Sequence, residues 1–321
     1  MKRQLVIVLL CIYITAIITG CGGNARLPKP TGWDKEEATA TPTPTAKDNS
    51  FGVKGSTWRD DGGHEGNVKF NNAVYYDEEN GLAVAEDGFV CPTPYGRYVK
   101  TGSIVDLYGV AYGSQSVYYV CGSQGRVLKS TNRGMTFSQV ASFGDSEPNQ
   151  RCLMSFCDEN NGIIASQKQM AVTNDGAKKW TKVTVPSEIL SIYMLSPNVF
   201  YYVDKSLNLQ KTEDAGKTWS ESPMEFYQKE NTLKEIGKIA LYVEKDNTYT
   251  IFCAQNIDGK FGKLKCYSTA DNWESFMINV IPNTSFQIDW ININHTGDIA
   301  TITNSSGYDI ICKEKNDAEL K

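Results

Sequence analysis

The 321-residue chain carries 40% hydrophobic and 21% charged side chains, which suits one large or two ordinary domains and is too apolar for a disordered polymer. Glycine (27), tyrosine (17) and tryptophan (6) are plentiful, whereas a total of two histidines disfavours imidazole pairs and His-rich metal cages, a zinc hydrolase among them. A formal charge of −5 argues against a nucleic-acid partner, which calls for a basic face.

Lys2 and Arg3 precede an apolar run from Leu5 to Ile18, the layout of a secretory signal and short for a membrane span. The run ends in Ile18-Thr19-Gly20-Cys21, which resembles the lipobox of bacterial lipoproteins. That resemblance implies cleavage after a signal peptide of residues 1–20, a diacylglycerol on Cys21, and an extracytoplasmic chain held to the bacterial cell membrane by its lipid. Losing residues 1–20 removes two basic and no acidic side chains, so the formal charge moves from −5 to −7 and favours solubility over an anionic surface. Residues 21–51 are poor in apolar side chains and carry Thr41-Pro42-Thr43-Pro44-Thr45; they read as a disordered, polyproline-like tether that lifts the domain off the membrane.

Beyond Cys11 and Cys21, seven cysteines remain: Cys91, Cys121, Cys152, Cys157, Cys253, Cys266 and Cys312. An odd number cannot all pair and the spacings match no zinc or disulfide framework, so they read mostly as buried thiols acting as small hydrophobes. Cys253 and Cys266 flank Asp258-Gly259-Lys260 symmetrically, which leaves open a bridge across a hairpin.

The organising signal is internal repetition. Ser130-Thr-Asn132-Arg-Gly134-Met-Thr-Phe137, Thr173-Asn-Asp175-Gly-Ala-Lys-Lys-Trp180 and Thr212-Glu-Asp214-Ala-Gly216-Lys-Thr-Trp219 share one template, and Ser268-Thr-Ala-Asp271-Asn-Trp273 is a shortened echo. The template, Ser/Thr-x-Asp-x-Gly-x-Thr-Trp, resembles the Asp-box or BNR repeat of sialidases and other β-propellers. Physically it predicts a hairpin clasp: the carboxylate accepts N–H bonds from its own turn, the glycine supplies a positive φ, and the aromatic ring packs back under the sheet. Where Asn132, Phe137, Ala177 and Lys179 replace template residues, looser turns are expected.

Two short β-rich runs precede each copy, as in Val117–Lys129, Gly162–Val172 and Val199–Lys211. Gly81–Cys91, Tyr249–Tyr267 and Gly297–Lys313 repeat the pattern, so six units are visible. The template ends Phe137, Trp180, Trp219 and Trp273 lie 43, 39 and 54 residues apart, as four-stranded blades require. The last unit lacks its clasp, while Gly55-Ser56-Thr57-Trp58 supplies the missing ending near the N-terminus. The expected fold is all-β, a six-bladed propeller over residues 52–315 closed by an N-terminal strand, with 316–321 as a tail. Seven blades follow instead if residues 220–265 hide a further unit. The stretches Gly81–Gly88 and Tyr119–Gly134 also resemble the photosystem II stability and assembly factor family, which implies a non-catalytic propeller that binds a membrane-protein partner through a basic patch on its channel face.

The resemblance makes Asp175, Asp214 and Asp271 structural. Ligands are expected at the opposite end, where the loops into the first strands and between second and third strands offer Glu86, Asp87, Gln124, Arg151, Lys168, Asp204, Asp289 and Trp290. A sialidase needs three converging arginines to grip a carboxylate. After Cys21 the chain has Arg26, Arg59, Arg97, Arg126, Arg133 and Arg151, with none in the last 170 residues, so that triad cannot be spread around the ring. Asp60-Asp61-Gly62-Gly63-His64-Glu65 lacks the alternation of a calcium loop, and His64 and His295 stand beside no nucleophile motif. No cofactor, metal or catalytic residue is therefore assigned. The expected function is a monomeric, lipid-anchored binding or assembly module for a protein or glycan. The alternative is a glycan-active hydrolase or lyase that uses Glu86, Asp87 and Asp204.

Overall fold

The computed structural model describes residues 51–53, 58–59, 68–93, 97–143, 152–224, 236–257, 260–274, 276–281, 288–304 and 307–313. Cys21, the tether, His64 and Arg151 lie outside the described residues. The chain divides into compact units of residues 1–43 and 44–321, and everything described belongs to the second.

Two short strands, β1 (Phe51–Val53) and β2 (Trp58–Arg59), precede the first blade. Blade 1 is β3 (Phe70–Tyr75), β4 (Gly81–Ala85), β5 (Phe89–Pro92) and β6 (Val99–Lys100). Blade 2 is β7 (Leu107–Tyr112), β8 (Tyr118–Gly122), β9 (Arg126–Ser130) and β10 (Ser138–Ser142). Blade 3 is β11 (Leu153–Phe156), β12 (Gly162–Ala165), β13 (Met170–Thr173) and β14 (Thr181–Val183). Blade 4 is β15 (Ile189–Met194), β16 (Phe200–Asp204), β17 (Asn208–Thr212) and β18 (Ser220–Pro223). Blade 5 is β19 (Ile236–Val243), β20 (Tyr249–Ile257), β21 (Lys260–Thr269) and β22 (Met277–Ile281). Blade 6 is β23 (Trp290–Ile293), β24 (Ile299–Asn304) and β25 (Gly307–Lys313).

Every sheet is an antiparallel meander, and the first strands of successive blades touch all the way round, β23 against β3 included. The protein is a six-bladed β-propeller. The N-terminus closes it: Phe51 pairs with Lys313, Val53 with Ile311 and Trp58 with Tyr308, so β1 and β2 both add to β25. This pairing covers the edge of β25 that would otherwise be open to another chain. Among the described residues, 220–265 hold no seventh unit. Blade 5 is long because β19, β20 and β21 run to 8, 9 and 10 residues, which accounts for the spacing of 54 in the repeat.

The buried side chains fall into six clusters, and each lies between two neighbouring blades. Successive residues of a strand point to opposite faces, so a middle strand flanked by two blades must be apolar on both. Hence the unbroken runs Leu82–Ala85 and Tyr118–Cys121. In β12, Ile163 packs toward blade 4 and Ile164 toward blade 2. The same parity separates Cys253 from Cys266. Cys253 pairs with Lys265 and Phe252 with Cys266, one residue out of register, so the two sulfurs point to different clusters and do not face each other across the hairpin.

A disulfide joins Cys121 in β8 to Cys152 just before β11, with Cα atoms 6.5 Å apart, and so fastens blade 2 to blade 3. Spacing alone gave no hint of it, because the sequence separation of 31 between the two cysteines is set by blade topology. A Cβ on Gly109 would sit 2.4 Å from Cys121 Sγ and 2.7 Å from the Cys152 carbonyl, so only glycine leaves room for the bridge against β7. Cys91 and Cys157 are free thiols, each pushed up to about 12 by burial and therefore protonated and inert at neutral pH.

The repeated eight-residue template forms the turn between third and fourth strands in blades 2 to 5. In the best-matching copy, Asp214 Oδ1 accepts N–H bonds from Lys217 (3.0 Å) and Thr218 (2.9 Å), and Oδ2 accepts the Thr218 hydroxyl at 2.7 Å. Thr212 Oγ1 donates to Asp214 and accepts from the Gly216 N–H at 2.9 Å. Asp175 makes the corresponding pair of bonds to Lys178 and Lys179, both at 3.0 Å. Asn132 keeps part of the clasp: its Oδ1 accepts from the Ser130 hydroxyl and from one backbone N–H, that of Thr136, both at 2.9 Å, where the aspartates accept two N–H bonds. Two consecutive residues take positive φ in each copy: Arg133 and Gly134, Gly176 and Ala177, Ala215 and Gly216, Asn272 and Trp273.

That alignment corrects the fourth copy. Thr269, not Ser268, is its hydroxyl residue, bonding Asp271 Oδ1 at 2.7 Å and the Trp273 N–H at 3.1 Å. Trp273 stands at the glycine position with φ +74°, and Phe276 takes the closing aromatic place. The closing aromatics share one task, which is to seal the seam with the preceding blade: Phe137 packs on the blade 1/2 cluster, Trp180 on 2/3, Trp219 on 3/4 and Phe276 on 4/5. Trp219 is half-buried, edge-on to Tyr202 at 4.9 Å, and its Nε1–H donates to the Thr184 carbonyl of blade 3 at 2.9 Å.

Candidate functional site: the central channel

The first strand of each blade lines the axis. These strands share a device: residue one is followed by a β-bulge in β3, β7, β15 and β19, where the register shifts between Phe70/Asn72, Leu107/Gly109, Ile189/Ser191 and Ile236/Lys238. A bulge re-aims the next side chain. Residue three of the inner strands is Asn72, Gly109, Ser155, Ser191, Lys238 and Asn292, and all but the glycine line a cavity of about 180 Å³ on the axis. Five polar side chains thus form a belt in an otherwise apolar wall of Val74, Val110, Met154, Ile192, Leu241 and Ile291.

Part of the belt stitches the blades together. Asn72 Nδ2 donates to the Tyr108 carbonyl of blade 2 at 3.1 Å, while its Oδ1 accepts the Ala73 N–H. Asn292 uses its Oδ1 in the same way toward Ile293 and reaches across to the Val110 carbonyl at 3.4 Å. Ser155 Oγ accepts the Met194 N–H of blade 4 at 3.0 Å. Lys238 holds its ammonium 5.8 Å from the centre of the Trp290 ring. Ser166 also faces the cavity, 97% buried, and its Oγ has no hydrogen-bond partner among the described residues.

One end of the channel is filled by rings. His295, in the turn after β23, donates its backbone N–H to the Tyr112 hydroxyl of blade 2 and meets the Tyr193 hydroxyl of blade 4 through Nδ1 at 3.4 Å. The Tyr112, His295, Tyr193 and Tyr242 rings pack edge to face at centroid distances of 6.0, 5.7 and 5.4 Å. Burial pushes the hydroxyls of Tyr112 and Tyr193 above the ordinary tyrosine range. It also pushes the imidazole of His295 below the ordinary histidine value, an effect partly offset by the backbone of Phe156 and Cys157 and by the Asp158 carboxylate. The ring is therefore neutral at pH 7.

The other end is the mouth, and the side chains expected there from sequence divide into four groups. Asp87 and Gln124 are exposed at the tips of equivalent turns with φ +55° and +61°, where the Asp87 N–H donates to Asp106 Oδ1 at 3.0 Å. Glu86 lies 3.8 Å from Lys69, and Lys168 and Lys205 lie 3.6 and 3.0 Å from Glu188, whose carboxyl is held below its usual range by Lys205. Asp289 and Trp290 are half-buried at the start of the sixth inner strand, with Trp290 in the cavity wall. Asp204 serves its own loop. It is 98% buried, and its carboxylate accepts from the N–H groups of Ser206 (2.9 Å) and Asn208 (2.8 Å), from the Ser187 hydroxyl and from Gln210. Sequence reasoning missed the belt, although a polar third residue in five of the six inner strands is visible once those strands are aligned. Among the described residues, no group of three or more His, Cys, Asp or Glu is placed to hold a metal ion.

Neither the family models nor the curated proteins contain a match to this chain. Solved structures do resemble it. The structure described as YCF48 bound to D1 peptide is 10% identical over 78% of this chain and 93% of its own, with a TM-score of 0.51. The RRP9 WD40 repeats are 9% identical over 83% of this chain and the whole of theirs, with a TM-score of 0.57. The WD40 β-propeller domain of Doa1 is 13% identical over 83% and 98%, with a TM-score of 0.51. At such identities the likeness is one of fold, and it agrees with the topology: the chain is a β-propeller.

Proposed function

We propose that this protein is an extracytoplasmic propeller, lipid-anchored at Cys21, that acts as a non-catalytic binding or assembly module for a protein partner at the channel mouth. The observation that carries the reading is the polarity of the channel: rings fill one end, whereas the other opens among charged turns contributed by blade after blade. Propellers commonly receive ligands around such a mouth, and one of the solved neighbours bears on the choice of ligand: it is described as bound to a peptide, which favours a protein over a glycan. The Cys121–Cys152 bond is consistent with an oxidising compartment, as the lipobox resemblance implies. The template turns resemble Asp-boxes and act here as seams between blades.

Two measurements test this. Labelling the producing cell with a palmitate analogue should mark the wild-type chain and not Cys21→Ser; an unlabelled wild type contradicts the anchor. Envelope proteins that co-purify with the wild type should be lost on Lys168→Glu with Lys205→Glu at the mouth and kept on Lys217→Glu at the other end. Equal retention by both variants contradicts a partner at the mouth.

A further inference from the structure

The cavity wall differs in charge from the rest of the chain. The protein has 37 acidic side chains against 32 basic ones, yet among the described residues no carboxylate lines the cavity. What lines it is a polar belt, the aromatic face of Trp290, an apolar floor, and the Lys238 ammonium over that indole ring. Ser166 adds a buried hydroxyl with no partner, a group that costs free energy to bury unless something bonds to it. At the far end the neutral His295 ring adds no positive charge at pH 7.

We propose that the channel is a small-molecule site for an organic monocarboxylate with a compact apolar body, its carboxylate between Lys238 and the hydroxyls of Ser166 and Ser191, and its body against Trp290 and the aliphatic floor. An ammonium on a stem offers a point charge to the carboxylate, the serine hydroxyls donate to it, and an apolar wall rewards burial of the remainder. Volume limits the body: about 180 Å³ is below the 300 Å³ or so of drug-sized pockets, which restricts the ligand to roughly one aromatic ring or a branched alkyl chain. The absence of a wall carboxylate disfavours amines and free amino acids, whose ammonium would be buried without a counter-charge. This inference does not rest on the protein-partner reading, since it concerns the channel interior rather than the rim.

The test uses the purified full-length protein and three matched probes, phenylacetate, phenylacetamide and phenethylamine, with 4-methylvalerate as a second acid, in calorimetric titration and thermal melting. Both acids should bind, and at a tenfold excess over Kd they should raise Tm by about 3–5 °C. The amide and the amine should bind at least tenfold more weakly. Lys238→Met should abolish acid binding, Lys238→Arg should keep it, and Ser166→Ala should weaken it severalfold. Ser191→Trp, which fills the cavity without changing charge, should block it and keeps the test open if Lys238→Met fails to fold. Failure of both acids to bind, equal binding of the amine, or full acid binding by Ser191→Trp would overturn the proposal. Loss of partner capture by the mouth variants would leave it standing.

Discussion

The backbone N–H of His295 donates to the hydroxyl of Tyr112, a residue 183 positions earlier and two blades away around the ring. Because Tyr193 of blade 4 meets the same histidine, three alternate blades are tied at the axis by one side chain and its backbone. That junction gives the channel a filled end and therefore a direction.

The junction carries a pH dependence. His295 is neutral in the fold because burial lowers its pKa, so the unfolded chain binds the proton more readily. Stability from this site is complete above the ordinary histidine value, about 6.5, and is lost as pH falls below it. The charged groups nearby are the Asp158 carboxylate beside the ring and Asp298 beside Tyr112, while Tyr112, Tyr193 and Cys157 stay protonated. Melting curves between pH 7.5 and 5 should show a larger fall for wild type than for His295→Gln. Parallel curves would show that the ring is not neutralised by its surroundings.

The seam aromatics should follow their contacts rather than their match to the repeat. Trp219 is half-buried, so Trp219→Ala should cost about 2–3 kcal/mol, below the range for a fully buried tryptophan. Trp219→Phe keeps the ring packing and loses the bond to Thr184, at a cost of about 1 kcal/mol. Chemical denaturation measures both; equal costs would mean that the indole N–H, not the ring, holds the seam.

Asp214 should titrate low. Its carboxyl is lowered to about 2 by the Thr218 N–H and hydroxyl, with further bonds from Thr212 and Lys217. The clasp is then fully formed above the ordinary aspartate value, near 4, and is lost as pH falls through about 2. Carbon-detected NMR titration of Asp214 should give a midpoint near 2 in wild type and a value closer to 4 in Thr218→Val. A wild-type midpoint near 4 would mean that the clasp is not formed in solution.

Blades 2 and 3 should be fastened covalently. The bond closes a separation of 31 residues, for which chain entropy gives about 3–4 kcal/mol of stabilisation. Dithiothreitol should lower the unfolding midpoint of wild type and leave Cys121→Ser with Cys152→Ser unchanged. Gly109→Ala, which drives a methyl into the bridge, should destabilise by about 1–3 kcal/mol. Identical midpoints with and without reductant would show the two thiols unbonded.

Much of the fold was legible because propeller blades repeat. The apolar middle strands and the template at 39- to 54-residue spacing carry topology, number of blades and closure by the segment around Trp58. What stayed hidden depends on register and on contacts distant in sequence. Cys253 and Cys266 looked symmetric about a turn, yet a one-residue offset turns them to opposite faces. Trp273 read as a closing tryptophan because its residue type outweighed its position, where φ is +74°. Asp204 looked like a loop carboxylate on the channel face, and only its acceptor bonds reveal that it holds the loop together. A second turn repeat also escaped notice: Asp77 to Asn80 and Asp158 to Asn161 are matching turns, in which Oδ1 accepts the Asn80 N–H at 2.8 Å and the Asn161 N–H at 2.7 Å. The channel belt was within reach, since each of its side chains is the third residue of an inner strand.

The central claim, that a protein partner docks at the mouth and not at the opposite end, is tested most directly by site-specific photocrosslinking in the producing cell. A photoreactive residue at Lys168 should yield a discrete adduct with an envelope protein, while the same residue at Lys217, among the template turns, should yield none. No adduct from position 168, or the same adducts from both positions, would contradict the account.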